Sequence, residues 1–226
     1  MTEKKTKERE KNGMGFLRQT NTERKPAQSG DPIETLRTNI LFSLPAGAEA
    51  KCIGFASACD GDGKSTVLCK TAESFAASGK KVLVIECDLG HPSIAAQYGI
   101  EPCPGLTNLL VGESKVKGTI RRIEHIGMDL IPAGTPSPNP IELLRAEQFA
   151  VLLDELKKYY DYIFLEMPSG ASMKEDVVLA DRMDGVLVVV RHNKTLYQKV
   201  DELILNLRAA QAKLLGIVYN NPEQER

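Results

Sequence analysis

The sequence predicts an α/β fold with a mostly parallel central sheet that helices cover on both faces. Short apolar runs alternate along the chain with amphipathic helical patterns, as expected where right-handed crossover helices join parallel strands. Runs such as residues 82–85 and 186–190 are apolar throughout, which is typical of strands buried on both faces. A length of 226 residues suits one large domain of this kind.

The predicted elements follow one another in a regular order. A first amphipathic helix covers residues 31–44, with Asp31 as its N-cap and Pro32 at the first helical position. A strand over residues 52–55 then leads through a glycine-rich turn into a helix that ends near Gly79. Later strands are predicted at 82–85, 130–131, 162–165, 185–190 and 214–218, and later helices at 148–159 and 195–212.

The first 30 residues differ in composition from the rest of the chain. They carry eight Lys or Arg against four Glu, and Phe16 and Leu17 are almost their only large apolar side chains. Such a segment buries too little surface to offset the entropy lost on ordering. We therefore predict a flexible arm over residues 1–30 and a single domain over residues 31–226.

Composition excludes several classes of protein. The net charge of −1 gives no reason to expect nucleic acid as a partner. Five cysteines without a Cys-x-x-Cys pair indicate a reduced, cytoplasmic chain without a zinc site. The longest apolar run, residues 186–190, is far too short to span a bilayer, so any membrane association is expected to come through a partner.

Residues 60–66 have the form of a phosphate-binding loop, because they lie between a predicted strand and a predicted helix. Gly61 and Gly63 allow backbone N–H groups to converge on phosphate oxygens. Lys64 is placed to reach the β- and γ-phosphates, and the Ser65 hydroxyl to bind Mg²⁺. The predicted nucleotide-binding residues are therefore Asp60, Gly61, Asp62, Gly63, Lys64, Ser65 and Thr66.

Three acidic residues are predicted at the same edge of the sheet. Glu86 and Asp88 follow the second strand, and Glu166 follows the strand that ends at Leu165. Ligands of open α/β sheets bind beyond the carboxyl ends of the strands. Carboxylates there can hold Mg²⁺ or accept a proton from an attacking hydroxyl.

From about Asp31 to Asn220 the chain resembles the cytoplasmic kinase domain of the bacterial tyrosine kinases (BY-kinases). The resemblance is to the separate-chain type that is linked to capsule and exopolysaccharide synthesis. It rests on several motifs taken together and is more specific than a phosphate loop alone. These motifs are residues 36–39, 60–66, 89–93, 131–144 and 184–191.

The resemblance implies an ATP-dependent, autophosphorylating protein-tyrosine kinase that uses Mg²⁺. It implies catalytic roles for Lys64, Glu86 and Asp88, and metal binding by Ser65, Asp88 and Glu166. Asn220, after the last strand, stands where the family contacts the nucleotide base. The implied partners are a membrane adaptor and further copies of the chain, which form rings in the family through the first helix.

Some positions depart from the family pattern and leave an alternative open. Glu86 and Glu166 replace the usual Asp, Gly90 stands where Arg is common, and Glu34 replaces an Arg of the first-helix motif. No tyrosine-rich tail follows Asn220. The alternative is an ATP-binding regulator of polysaccharide export that transfers no phosphate.

Two further expectations concern related proteins and the remaining tyrosines. A partitioning-type switch ATPase is less well supported, because Cys59 stands where such proteins have a second lysine. Tyr159, Tyr160 and Tyr162 lie beside a strand that is predicted to be buried, so we expect them to serve packing.

Overall fold

A computed structural model of the chain describes residues 30–44, 47, 50–169, 179–180 and 182–220. Apart from Gly30, the predicted N-terminal arm lies outside the described residues. The limits predicted for the arm and for the domain therefore stay predictions. The helix predicted at residues 31–44 is present as α1, Pro32–Ser43.

Within the described residues, seven strands form one sheet in the order β3-β4-β2-β5-β1-β6-β7. Every neighbouring pair is parallel except β3 and β4, which are antiparallel. The predicted mostly parallel α/β sheet is confirmed. The strands are β1 (Lys51–Ser57), β2 (Val82–Glu86), β3 (Arg121–Ile123), β4 (Met128–Ile131), β5 (Tyr162–Ser169), β6 (Gly185–Arg191) and β7 (Leu214–Asn220).

Helices connect the strands, and the longer ones supply most of the surface that covers the sheet. After α1, the described helices are α2 (Lys64–Ala77), α3 (Ile94–Gln97), α4 (Leu106–Leu110), α5 (Val116–Thr119), α6 (Pro140–Arg145), α7 (Glu147–Leu156) and α8 (Tyr197–Ala209). None of these described helices combines the length and the apolar character needed to cross a membrane.

Two hydrophobic cores lie on opposite faces of the sheet. In β1, Ile53 and Phe55 join the core that includes α1 and α2. Cys52 and Ala56 join the other core, which includes α7 and α8. Successive side chains of a strand point to opposite faces, so covering both faces requires the continuous apolar runs seen in the sequence.

An aromatic cluster fills the core between α2 and the sheet. The Phe164 ring lies 5.8 Å from Phe55 and 5.3 Å from Phe75, both edge-on. The Tyr162 ring lies 4.5 Å from Phe75. Edge-to-face contacts at these distances add stabilisation beyond that from the buried area. The cluster therefore fixes the position of α2, which is the helix that follows the glycine turn.

Several details differ from the sequence predictions. β5 continues to Ser169, so Glu166 lies within a strand rather than after it. The short antiparallel β3 was not predicted, because three residues give too little period-two pattern to recognise. The prediction that Tyr159 packs against the fold is wrong, since 66% of this residue is exposed.

A matched pair of truncations tests this description of the core. Phe164 is fully buried, whereas Phe42, at the end of α1, is 86% exposed. We expect Phe164→Ala to lower the free energy of unfolding by about 3–5 kcal/mol, and Phe42→Ala to change it by less than about 0.5 kcal/mol. Urea denaturation of both variants measures the difference, and equal effects would contradict the assigned packing.

Candidate active site

A cavity of about 760 Å³ opens at the carboxyl edge of the sheet. The phosphate loop (residues 60–66) lines it, and Asp88, Arg191 and Asn220 contribute from the ends of neighbouring strands. The loop follows β1, which lies between β5 and β6. This is the edge where open α/β sheets bind their ligands.

The glycines of the phosphate loop adopt conformations that other residues avoid. Gly61 has φ 79° and Gly63 has φ 87°, and Gly63 directly precedes α2. A Cβ at Gly63 would lie 1.9 Å from Asn220 Nδ2. The same Asn220 nitrogen donates a hydrogen bond of 2.8 Å to the Asp62 carbonyl oxygen, so the end of β7 packs directly on the loop.

The side chain of Asp62, which is itself part of the phosphate loop, stabilises the loop through hydrogen bonds. It is only 2% exposed, and its oxygens accept hydrogen bonds from Thr195 Oγ1 (2.6 Å) and the Cys59 N–H (3.1 Å). Arg191 Nη1 donates to the Gly61 carbonyl at 3.2 Å. The end of β6 and the segment after it therefore hold the loop from one side.

A lysine–carboxylate cluster, formed by Lys64, Asp88 and Glu166, lies beside the phosphate loop. Lys64 Nζ is 3.0 Å from Asp88 Oδ2 and 3.7 Å from Glu166 Oε1, and it also donates to the Met167 carbonyl. All three charged groups are almost fully buried. Removing the lysine, or removing the carboxylates, would leave the opposite charge unpaired in a region of low dielectric constant. Such a change is strongly destabilising.

Glu166 is the most perturbed acid of the cluster. Burial raises its pKa to about 7, although Lys64 and a hydrogen bond from Ser65 oppose this shift. Its Oε1 accepts the Ser65 hydroxyl proton. Its Oε2 is buried and has no hydrogen-bond partner among the described residues. A buried carboxylate oxygen without a partner is costly, and a cation would relieve that cost.

Among Glu86, Asp88 and Glu166, Asp88 is the acid that lines the cavity. Its Oδ1 accepts the His91 N–H at 3.1 Å, while its Oδ2 accepts Lys64 and lies 3.2 Å from the Ser169 hydroxyl. Ser169 also contacts Asp60. These contacts join the ends of β2 and β5 to the phosphate loop.

Glu86 does not line the cavity and is fully buried. Its carboxylate accepts backbone N–H groups of Ser93, Ile94 and Ala133. It is the register partner of Glu166 across β2 and β5, as expected for acids at one sheet edge. The catalytic role expected for Glu86 stays a prediction, and its contacts in the fold serve the backbone.

The oxygen donors beside the loop fit Mg²⁺. Within the part of the chain described, no three His, Cys, Asp or Glu side chains converge closely enough to hold a metal by themselves. Mg²⁺ at nucleotide sites usually takes one or two carboxylates and completes its shell with phosphate and water. Ser65, Asp88 and Glu166 supply hydroxyl and carboxylate oxygens, and the unpartnered Glu166 Oε2 is consistent with a cation here.

The fold brings most of the predicted site residues together. All seven residues of the phosphate loop, with Asp88 and Asn220, line the cavity, while Glu86 and Glu166 do not. Sequence reasoning missed Ser93, Ser169 and Thr195. Ser93 lies in the family motif of residues 89–93, which assigned it no role in the site. The signal for Ser169 and Thr195 was only a small hydroxyl residue soon after a predicted strand, which is too common to identify a site.

Comparisons with known proteins agree with this geometry. A family model described as an AAA domain matches residues 50–218. Tyrosine-protein kinase YwqD of Bacillus subtilis strain 168 is 31% identical over 192 residues, which cover 85% of this chain and 81% of that protein. Succinoglycan biosynthesis transport protein ExoP of Rhizobium meliloti strain 1021 is 29% identical over 84% of this chain, but this match covers only 25% of ExoP.

A solved structure extends the comparison to the fold. The crystal structure of the VpsO kinase domain superposes with a TM-score of 0.77 at 30% identity, over 84% of this chain and 94% of that one. The fold and the glycine loop thus define a P-loop nucleotide-binding protein. More specifically, the chain belongs to the bacterial tyrosine-kinase family.

The raised pKa of Glu166 predicts how stability depends on pH. The folded protein keeps a proton on Glu166 up to about pH 7, whereas the unfolded chain releases it near its ordinary pKa of 4.5. Without Mg²⁺, the free energy of unfolding should therefore fall as pH rises from 4.5 to 7, by up to about 3 kcal/mol.

Glu166→Gln removes this titration and should flatten the profile. The exposed Glu101→Gln is the matched control and should keep the wild-type slope. Urea denaturation at several pH values compares the three proteins. Parallel curves for wild type and Glu166→Gln would show that the buried carboxyl is not the group responsible.

Proposed function

We propose that this protein transfers the γ-phosphoryl group of ATP to a tyrosine hydroxyl and regulates capsular or exopolysaccharide synthesis together with a membrane adaptor. The observation that carries this proposal is the lysine–carboxylate cluster beside a glycine loop, with Asp88 on the cavity wall. Phosphoryl transfer depends mainly on positioning and charge stabilisation, and these groups provide both.

The phosphate loop and Lys64 bind and orient the ATP phosphates in this proposal. Backbone N–H groups at the start of α2 offer unpaired donors and the positive end of the helix dipole. When ATP binds, Lys64 Nζ gives up its contact with Asp88 or with the Met167 carbonyl and contacts a phosphate oxygen instead. Ser65 and the carboxylates of Asp88 and Glu166 would hold Mg²⁺, which would supply positive charge that offsets the charge on the phosphates.

Asp88 is the proposed acceptor of the tyrosine hydroxyl proton. It lines the cavity, and the His91 N–H together with Lys64 orients its carboxylate. A general base must come within hydrogen-bond reach of the proton that it removes, and Asp88 meets this condition better than the buried Glu86. Arg191 and Asn220, which also line the cavity, are the proposed contacts of the nucleotide base.

The proposed partners follow from the relatives. ExoP is named a succinoglycan biosynthesis transport protein, which supports a role in polysaccharide production and a membrane adaptor as partner. Assembly with further copies of the chain is also proposed. In the described fold, however, Arg37 of the first-helix motif donates to the Ser74 carbonyl at 2.8 Å, and thus also serves to attach α1 to α2.

The non-transferring regulator remains the second candidate. It is favoured by one observation: Glu86, where the family has its catalytic acid, is engaged by three backbone amides. In that case the protein binds MgATP but no phosphotyrosine forms. The named kinase relatives support the first candidate instead.

Phosphotyrosine formation distinguishes the two candidates. Wild-type protein, radiolabelled ATP, Mg²⁺ and a tyrosine-containing peptide should give labelled tyrosine. Lys64→Met should lower the rate by about 100-fold or more, because it removes a charge that stabilises the transferred group. The exposed Lys70→Met on α2 is the control and should keep wild-type activity. Nucleotide binding without any labelled tyrosine would establish the regulator.

Exposure predicts which tyrosines accept phosphate during autophosphorylation. Tyr159, Tyr197 and Tyr219 are 60–66% exposed. In contrast, the Tyr98 and Tyr160 hydroxyls donate to carboxylates at 2.7 Å, where a phosphate would meet like charge. Tyr162 packs against Phe75 and is also excluded.

Mass spectrometry after incubation with MgATP should find phosphate on Tyr159, Tyr197 and Tyr219 and on no other tyrosine. Replacing all three exposed tyrosines by Phe should remove most self-labelling, while phosphorylation of an added peptide continues at the wild-type rate. Phosphate on Tyr98, Tyr160 or Tyr162 would contradict this assignment.

A further inference from the structure

We propose that Glu86 is a positioning residue, which fixes Ser93 against the Ser65 hydroxyl and thereby orients that hydroxyl so that its remaining lone pair can bind Mg²⁺. This assignment differs from the catalytic role implied by the family resemblance. It rests on the proposed function only in requiring that MgATP or MgADP binds at the phosphate loop.

The hydrogen bonds of Glu86 tie three segments of the chain together. Oε1 accepts the N–H groups of Ser93 (2.5 Å) and Ile94 (2.6 Å), at the start of α3. Oε2 accepts the Ala133 N–H (3.1 Å), in the loop after β4. Hydrogen bonds to an ionised carboxylate are roughly twice as strong as neutral ones. Glu86 therefore sets where α3 begins relative to β2.

The loop after β4 has a second attachment that keeps Ala133 in place. The Asn108 side-chain oxygen accepts the Thr135 N–H at 3.2 Å, and Thr107 Oγ1 donates to the Thr135 carbonyl at 2.8 Å. Gly134, which lies between Ala133 and Thr135 in this loop, has φ 92° and leaves no room for a Cβ beside Thr107. Glu86 thus bonds to a loop that is itself fixed, and it transmits that constraint to Ser93.

Ser93 connects this arrangement to the proposed metal site. Its hydroxyl donates to Ser65 Oγ at 3.0 Å, and Ser65 in turn donates to Glu166. A serine hydroxyl has one proton and two lone pairs. With its proton given to Glu166 and one lone pair taken by Ser93, Ser65 retains one lone pair for a cation.

The length of the Glu86 side chain is essential to this role. Its two oxygens reach amides on two separate segments at 2.5–3.1 Å. Aspartate is one methylene shorter, which withdraws the carboxylate by about 1 Å, and a displacement of that size is enough to impair a positioned site. Glu86→Asp should therefore weaken the site. If Glu86 were instead an imperfect catalytic base, restoring the usual Asp of the family should raise activity.

Calorimetry of ADP binding with and without Mg²⁺ tests the proposal on wild type, Glu86→Asp, Ser93→Ala and the double variant. We expect each single substitution to reduce the Mg²⁺-dependent gain in ADP affinity by about tenfold, as is usual when a partner of a metal ligand is lost. The double variant should be no worse than the more severe single variant, because both act through Ser65. Glu101→Asp, in an exposed loop, is the matched control and should leave the gain unchanged.

Hydrogen exchange supplies a readout that is independent of nucleotide. In Glu86→Asp the amides of Ser93, Ile94 and Ala133 should exchange faster than in wild type, while those of β5 stay protected. If Glu86→Asp fails to fold, the exposed Ser93→Ala still reports the loss of Mg²⁺-dependent affinity.

Some outcomes would overturn the proposal. These are additive losses in the double variant, unchanged Mg²⁺ dependence in Ser93→Ala, or a rise in kinase activity of Glu86→Asp with unaltered amide exchange. The proposed kinase function fails separately: wild-type protein that shows the expected Mg²⁺-dependent binding but labels no tyrosine would refute phosphoryl transfer and leave Glu86 as a positioning residue.

Discussion

The burial of the Lys64 ammonium group between two carboxylates constrains the carboxyl edge of the sheet, where the candidate active site lies. Lys64, Asp88 and Glu166 come from α2, from the segment after β2, and from β5, so their mutual distances depend on how those elements pack. The aromatic cluster under α2 and the parallel pairing of β2 with β5 supply that packing. A buried charge that loses its partner costs several kcal/mol, so the cluster and the core stabilise each other.

The three acids at this edge have different environments and therefore different chemistry. Asp88 lines the cavity, Glu166 lies beneath it with a raised pKa, and Glu86 is occupied by backbone amides. Neighbouring carboxyl groups acquire separate roles when their surroundings differ in burial and hydrogen bonding. The roles proposed for them, as proton acceptor, metal ligand and structural anchor, follow from these different surroundings.

The phosphate loop is held mainly by contacts from outside the loop. Asn220 at the end of β7 bonds to Asp62 and leaves no room for a side chain at Gly63. Arg191 at the end of β6, and Thr195 in the segment after it, also bond to the loop. Binding sites whose shape is fixed before the ligand arrives lose less entropy on binding. The ends of β6 and β7 thus determine the loop geometry as much as its glycines do.

Local sequence patterns were enough to predict the sheet class, the position of the phosphate loop and the sheet edge at which the three acids lie. Continuous apolar runs indicate strands buried on both faces. The order of strand, glycines, lysine and helix is a local pattern that is visible directly in the sequence. The membership of the bacterial tyrosine-kinase family was also evident from such local motifs.

Which of the three acids lines the cavity, and which accepts backbone hydrogen bonds, depends on the folded arrangement of distant segments. Glu86 and Asp88 are two residues apart, yet the first bonds to Ala133 and the second to Lys64. Contacts of this kind join segments distant in the chain, and they depend on strand order and register, which no local pattern specifies. For the same reason the sequence could not reveal Ser93, whose position beside Ser65 depends on the placement of α3.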